Sequence, residues 1–122
     1  MKRNTLEYEQ ALGAVLHILQ TRASAGAEPL TYGGLSAELA LQGHHVPAHR
    51  GPMTYLLEDV SLRESPDGSV PMLSALVVLQ ATGWPSGGFF QLARREPFTR
   101  PGDDTELWAR ELAHLAKHYS TR

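Results

Sequence analysis

The stretch that decides the predicted fold runs from Ser69 to Phe90 and has the sequence SVPMLSALVVLQATGWPSGGFF. Val70 to Gln80 is rich in valine and leucine, a Gly-Trp-Pro-Ser-Gly-Gly segment follows it, and large apolar residues return at Phe89. Apolar, β-branched runs bounded by turn residues are typical of strands, and paired glycines supply the positive backbone angles of a tight reversal. The stretch therefore predicts a β-hairpin over residues 69–93.

Apolar residues at helical spacing predict three helices before this hairpin and one after it. The first runs from Asn4, its predicted cap, to about Arg22. Thr31 is positioned to cap the second helix, and Pro52 suits the first position of the third. Asp103, with a glutamate three residues on, is the predicted cap of a C-terminal helix over residues 103–120.

This order of elements predicts an α+β fold of the winged helix-turn-helix type, with three helices, a two-stranded β-hairpin wing and a C-terminal helix. Residues 31–65 would form the helix-turn-helix, the third helix would be the recognition element, and residues 69–93 would form the wing. Two short strands are not stable alone, so the wing must pack against the helices. A length of 122 residues fits a single domain over residues 1–122.

Composition limits the classes of function that the chain can have. The sequence contains no cysteine, which excludes disulfides, thiolate metal sites and cysteine nucleophiles. No signal peptide and no apolar stretch long enough to span a bilayer is visible, so we expect a cytoplasmic protein without a membrane partner. A formal net charge of −2 gives no overall attraction for nucleic acid, so DNA binding would need a local basic patch.

Three segments carry a resemblance to a known family: LTYGGLSAEL, then HRGPM, then SVPMLSALVV with the following SGGFF. From Pro29 to Phe90 the chain resembles the DNA-binding half of the alkylguanine-DNA alkyltransferases and their non-catalytic alkyltransferase-like relatives. The resemblance implies that Tyr32 matches a tyrosine that helps to rotate the target nucleotide. It also implies that Arg50 lies near the place of the arginine that fills the gap left by the flipped base. Met72 stands where the family has its alkyl-accepting cysteine, which implies a protein without alkyl transfer.

We therefore predict a non-catalytic, regulatory or accessory protein whose partner is double-stranded DNA and which needs no cofactor. To bind DNA, a protein needs cationic side chains that contact the phosphates, and side chains at the start of the recognition helix that reach the base edges. Acidic residues on the third helix argue against deep insertion into a groove, and Arg100 is a further candidate for contact with the backbone. The predicted DNA-binding residues are Tyr32, Arg50, Thr54, Tyr55, Arg94 and Arg95.

The alternative prediction is a protein-interaction adaptor, such as an antitoxin-like or defence-complex subunit, that uses the fold without DNA. Its partner would be another protein or a second copy of the chain. The predicted partner contact is Trp84, because a tryptophan at a turn is difficult to bury.

The sequence predicts neither a metal site nor a catalytic site. Glu111, His114 and His118 share a helical face, but no second cluster at a recognisable spacing completes a metal site, so none is predicted. The serines lack a recognisable nucleophile motif, so no enzyme activity is predicted. The candidate nucleophiles are Ser36, Ser74 and Ser86.

Overall fold

The fold is α+β, with helices forming most of it. The computed structural model describes residues 1–48 and 51–120. Within these residues, five α-helices, one 3-10 helix and a two-stranded sheet are present. In chain order they are α1 (Leu6–Ser24), β1 (Leu30–Thr31), α2 (Tyr32–Leu41), α3 (Pro52–Glu64), the 3-10 helix (Leu73–Leu76), β2 (Val77–Val78), α4 (Gly87–Arg94) and α5 (Asp104–Tyr119).

Side-chain oxygens cap the starts of three helices. The Thr31 hydroxyl accepts a hydrogen bond from the backbone N–H of Gly34 at 2.9 Å, and the Asp103 carboxylate accepts one from the N–H of Glu106 at 2.9 Å. These two caps are as predicted. The cap of α1 is Thr5 rather than Asn4, because Asn4 adopts a positive φ of 66° outside the helix. Each cap satisfies a backbone donor that has no partner inside the helix.

The core lies between α1, α3 and α5, which pack around the 3-10 helix. The apolar stripes predicted for these three helices are mostly confirmed, because their central positions are buried. The buried members are Tyr8, Leu12, Val15 and Leu19 of α1, Met53, Leu56, Leu57 and Val60 of α3, and Leu107, Leu115 and Tyr119 of α5.

The predicted hairpin wing over residues 69–93 is wrong. Within it, only Val77–Val78 is a strand, and it pairs in parallel with β1, Leu30 opposite Val77 and Thr31 opposite Val78. The run before it forms the 3-10 helix and is buried without alternation, as expected of a segment enclosed on all sides. The predicted second strand is α4, in which Phe89, Leu92 and Ala93 are buried at helical spacing.

The two helices predicted within residues 31–65 are present as α2 and α3. Residues 30–31 and 77–78 pair in parallel, and α2 and α3 lie in the long connection between them. A parallel pair needs such a crossover, whereas a hairpin does not. In the chain, α2 begins at the residue after β1, and β2 begins at the residue after the 3-10 helix.

Candidate functional site

A small cavity of about 40 Å³ lies where α2, α3, the 3-10 helix and α4 meet. Five of its side chains carry oxygen atoms, and the Tyr32 hydroxyl donates a hydrogen bond to Ser86 Oγ at 2.9 Å. This volume is that of about one water molecule. We call this site the hydroxyl pocket; it is lined by Tyr32, Thr54, Leu57, Glu58, Ser74, Ser86, Gly88, Phe89 and Leu92.

Ser74, which lines the hydroxyl pocket, is hydrogen-bonded to Ser61 of α3. Its Oγ lies 2.8 Å from Ser61 Oγ, and its backbone N–H donates to the same Ser61 oxygen at 3.1 Å. Met72, two residues earlier, is wholly buried, and its backbone N–H donates to Glu111 Oε2 at 2.9 Å. Met72 is therefore a core residue, whereas Ser74 is the residue of this segment that lines the pocket.

An ion pair borders the hydroxyl pocket on the α4 side. Arg95 Nη2 donates to Glu58 Oε1 at 2.7 Å, and both side chains are partly exposed. Glu58 Oε2 has no hydrogen-bond partner among residues 1–48 and 51–120. The described residues therefore leave one oxygen of this carboxylate as an unused acceptor.

Two further residues of α3, Tyr55 and Asp59, contact Arg3 in the N-terminal segment. Arg3 Nη2 and Nε donate to the two carboxylate oxygens of Asp59 at 2.6 and 3.0 Å, and Tyr8 also donates to this carboxylate. The Arg3 guanidinium lies 4.6 Å from the centre of the Tyr55 ring. Arg3 thus joins the chain terminus to the exposed side of α3.

The pKa values in this cluster follow from its contacts. Burial opposes ionisation of Asp59, but the hydrogen bonds from Arg3 and Tyr8 outweigh it and hold the pKa of the carboxyl below its usual value. Burial, followed by the hydrogen bond to Asp59, raises the pKa of the Tyr8 hydroxyl. Asp59 is therefore charged and Tyr8 neutral at neutral pH.

We use the name α3 face for Thr54, Tyr55 and Glu58 together with the flanking Arg3 and Arg95. Thr54 and Glu58 are four residues apart on one row of the helix, and Tyr55 and Asp59 are four apart on the next. Thr54 and Tyr55 are exposed.

The structure brings together four of the six predicted DNA-binding residues. Tyr32, Thr54, Tyr55 and Arg95 lie at the α3 face or in the hydroxyl pocket beside it. Arg94 does not join them, because its side chain binds Asp104 at 2.6 Å and the carbonyl of Gly102 at 2.9 Å, at the start of α5. The remaining predicted residue, Arg50, lies outside the described residues.

Arg100, the additional candidate for contact with DNA, is held inside the protein. It donates to buried Glu111 at 2.6 Å and to the carbonyls of Gly68 and Val70 at 2.7 and 3.0 Å. Because these contacts occupy both the charge and the donors of Arg100, this prediction is wrong. The Arg100–Glu111 pair instead fixes the segment that leads into the 3-10 helix.

Trp84 lies in the loop between β2 and α4. Its side chain is 37% exposed, and its ring stacks on Trp108 of α5 with the centroids 5.0 Å apart and the planes tilted by 39°. Trp108 Nε1 donates to the carbonyl of Ala75 at 2.9 Å, which anchors this pair to the 3-10 helix. One side of Trp84 is therefore covered by its own protein, and contact of the other side with a partner stays a prediction.

The groups weighed for metal binding and catalysis have other contacts. Glu111 is buried against Arg100, and the described residues contain no cluster of three or more histidine, aspartate or glutamate side chains that could hold a metal ion. Ser36 Oγ donates to the carbonyl of Val46, while Ser74 and Ser86 bond to other hydroxyls. None of these three serines, all described, has a hydrogen bond to an imidazole or a carboxylate.

The sequence did not reveal two features of this candidate site. The first is Arg3; its only sequence signal was the basic start Met1-Lys2-Arg3, which does not indicate contact with a helix more than fifty residues away. The second is the half-partnered carboxylate of Glu58, which the sequence presented only as a negative charge. Both depend on tertiary contacts.

Comparisons with protein-family models, curated proteins and solved structures found no match to this chain. The resemblance to the alkyltransferase family therefore stays a prediction based on the quoted segments. None of the helices in the described part of the chain has the length and apolarity needed to cross a membrane.

Proposed function

We propose that this chain is a non-catalytic, cytoplasmic DNA-binding protein in which α2 and α3 act as a helix-turn-helix and the α3 face contacts double-stranded DNA. In this proposal the chain keeps the helix-turn-helix of the alkyltransferase-like architecture without a hairpin wing. The observation that carries the proposal is the presence of two guanidiniums, Arg3 and Arg95, on either side of the exposed surface of α3. They come from opposite parts of the sequence and meet at one helix.

The acidic residues of α3 oppose DNA binding less than the sequence suggested. Asp59 is paired with Arg3, and Glu58 is paired with Arg95. Glu64 accepts hydrogen bonds from Gln20 and Tyr119 at the far end of the helix. Arg95 uses Nη2 for Glu58, and Arg3 uses Nε and Nη2 for Asp59, so other N–H donors of both guanidiniums can meet a phosphate while the ion pairs hold. We infer that binding is of modest affinity.

The contacts divide into two classes under this proposal. Arg3 and Arg95 would meet phosphates and fix the register on the duplex, while Thr54 and Tyr55, in the first turn of α3, would reach base edges. Tyr32, at the N-terminus of α2, lies where backbone N–H groups favour an anion. Arg50 precedes α3, and Arg50→Ala is expected to weaken binding and reduce the salt dependence.

The adjacent residues Arg94 and Arg95 provide a sharp test. Binding of a fluorescently labelled random duplex would be followed by anisotropy for Arg95→Ala and for Arg94→Ala, both at low salt. We expect Arg95→Ala to lose roughly 3–10-fold in affinity, as for one phosphate contact, and Arg94→Ala to resemble the wild type. Equal losses for the two variants would contradict the α3 face as the binding surface.

A second candidate function is favoured by a different observation. The partly exposed Trp84, stacked on Trp108, forms an aromatic surface of the kind enriched at protein interfaces. The net charge of −2 also suits an adaptor that binds a protein or a second copy of itself. If the wild type fails to bind duplex DNA even at low salt, the DNA-binding proposal is wrong and the adaptor is favoured.

A further inference from the structure

We propose that Glu58 is a specificity-determining residue that accepts a hydrogen bond from the exocyclic amino group of a cytosine in the major groove. The inference rests on the proposed function and deepens it, because it names the base edge that the α3 face selects. It starts from the one oxygen of Glu58 that the described residues leave without a partner.

The position of Glu58 suits contact with a base. It follows Thr54 by one helical turn and lies on the same row of α3. Its side chain is 32% exposed, so an outside group can reach it, yet it is held on one side by Arg95. A recognition helix in the major groove presents such a row to base edges.

Arg95 makes this approach to DNA electrostatically acceptable. A carboxylate alone would be repelled by the phosphates that border the groove. The Arg95 guanidinium bonds to Glu58 Oε1 at 2.7 Å, so the pair carries no net charge. It also fixes the carboxylate in one direction, which leaves Oε2 as the acceptor.

The chemistry of the major groove then selects the base. A carboxylate is an acceptor only, so it cannot bond to guanine O6 and N7 or to thymine O4, which are acceptors as well. Adenine offers an amino donor, but its N7 acceptor lies beside it and repels a carboxylate. The N4 amino group of cytosine has no acceptor on the same base in this groove, so cytosine is preferred.

The neighbouring groups do not impose the same preference. The hydroxyls of Thr54, Tyr32 and Ser86 can each donate or accept, so they tolerate several bases. Glu58 is the acceptor-only side chain among those lining the hydroxyl pocket. Replacement by glutamine keeps the shape and adds a donor, and glutamine pairs with N6 and N7 of adenine.

The test is selection from a randomised duplex library, followed by sequencing, for the wild type, Glu58→Gln and the control Asp104→Asn. Asp104 is paired with Arg94, away from the α3 face, and is matched in chemistry. We expect the wild type and Asp104→Asn to enrich cytosine at one position by roughly 5–150-fold. Glu58→Gln should lose this preference and gain adenine at the same position.

The outcomes separate the two proposals. If the wild type binds DNA without a cytosine preference, or if Glu58→Gln keeps that preference, the assignment of Glu58 is wrong while DNA binding stands. If the wild type binds no DNA, both proposals fall. A thermal melt of Glu58→Gln that matches the wild type ensures that a lost preference does not come from unfolding.

Discussion

At the scale of single residues, the Tyr8 hydroxyl links the core to the α3 face. The side chain is 1% exposed, and its hydroxyl donates to the Asp59 carboxylate that also binds Arg3. A buried hydroxyl without a partner is costly, whereas one that donates to a carboxylate makes one of the stronger hydrogen bonds. The same contact therefore stabilises the core and orients a residue of α3.

This contact predicts a pH dependence on the alkaline side. Because burial and Asp59 raise the pKa of Tyr8 above its ordinary value of 10.0, the stabilisation is complete below pH 10 and is lost as the pH rises further. Tyr8→Phe should lower the free energy of unfolding at pH 7 by about 1.5–3 kcal/mol. In urea denaturation the difference between wild type and Tyr8→Phe should shrink above pH 10. A difference that stays constant to pH 11 would contradict the assignment.

Residue types alone did not reveal these partnerships. The sequence indicated that Tyr8 faces inward and that Asp59 is charged, and both expectations are correct. Their contact joins residues 51 positions apart, and helical periodicity carries no information about such pairs. The same holds for Arg95 and Glu58, which the sequence presented as separate charges.

At the scale of elements, the helices with a repeating apolar stripe were predictable, and α4, the shortest α-helix of the described residues, was not. α1, α3 and α5 have 19, 13 and 16 residues, long enough for an apolar stripe to repeat. α4 has only eight residues and begins with Gly87-Gly88, which is typical of a turn. Phe89, Leu92 and Ala93 fit helical spacing, but over this length the pattern also fitted a strand.

The parallel pairing of β2 could not be predicted from the sequence either. An apolar run of this length fits a strand in a hairpin, a strand in a parallel pair or a buried helical turn. The chain uses the last two, as the 3-10 helix and β2. The position of this run is set by contacts with residues that are distant in the sequence, including the hydrogen bond from the Met72 N–H to Glu111.

The turn between α3 and the 3-10 helix gives a prediction at this scale. Gly68 has a φ of +81°, and a Cβ there would lie 2.0 Å from the carbonyl oxygen of Pro97. Gly43, after α2, has a similar φ of +86° but open space around it. Alanine at either position meets the strain of a left-handed conformation, about 1–2 kcal/mol, but only at Gly68 does it also collide with backbone.

We therefore expect Gly68→Ala to lower the free energy of unfolding by more than about 3 kcal/mol, and Gly43→Ala by about 1–2 kcal/mol. Urea denaturation of the two variants measures both values under the same conditions. Equal losses would mean that the loop containing Pro97 moves away at little cost. In that case the close approach of these two segments is not a fixed part of the fold.

At the scale of the whole molecule, the α3 face is a composite of three distant parts of the chain. The N-terminal segment supplies Arg3, the helix supplies Thr54, Tyr55 and Glu58, and the segment after α4 supplies Arg95. The sequence pointed to Thr54 and Tyr55 because their position at the start of a helix is a local property. It could not separate Arg94 from Arg95, because only the packing of α4 against α3 decides which of the two reaches Glu58.

This composite origin makes the charge of the whole molecule a poor guide to its binding. The net charge is −2, yet DNA would meet a surface at which the remaining donors of Arg3 and Arg95 reach phosphates. Each phosphate contact releases counterions and adds about −0.9 to the slope of log K against log salt. If both arginines contact a phosphate, the double variant Arg3→Ala/Arg95→Ala should have a slope shallower than that of the wild type by roughly 2.

Anisotropy titrations of one duplex from low to moderate salt would measure the slope for the wild type, the double variant and Arg94→Ala. The control should keep the wild-type slope, because its partner Asp104 lies at the start of α5. A double variant with lower affinity but an unchanged slope would mean that the two arginines support the shape of α3 and do not touch phosphate. Slope and affinity must therefore fall together, since only direct contact with the DNA backbone links the two quantities.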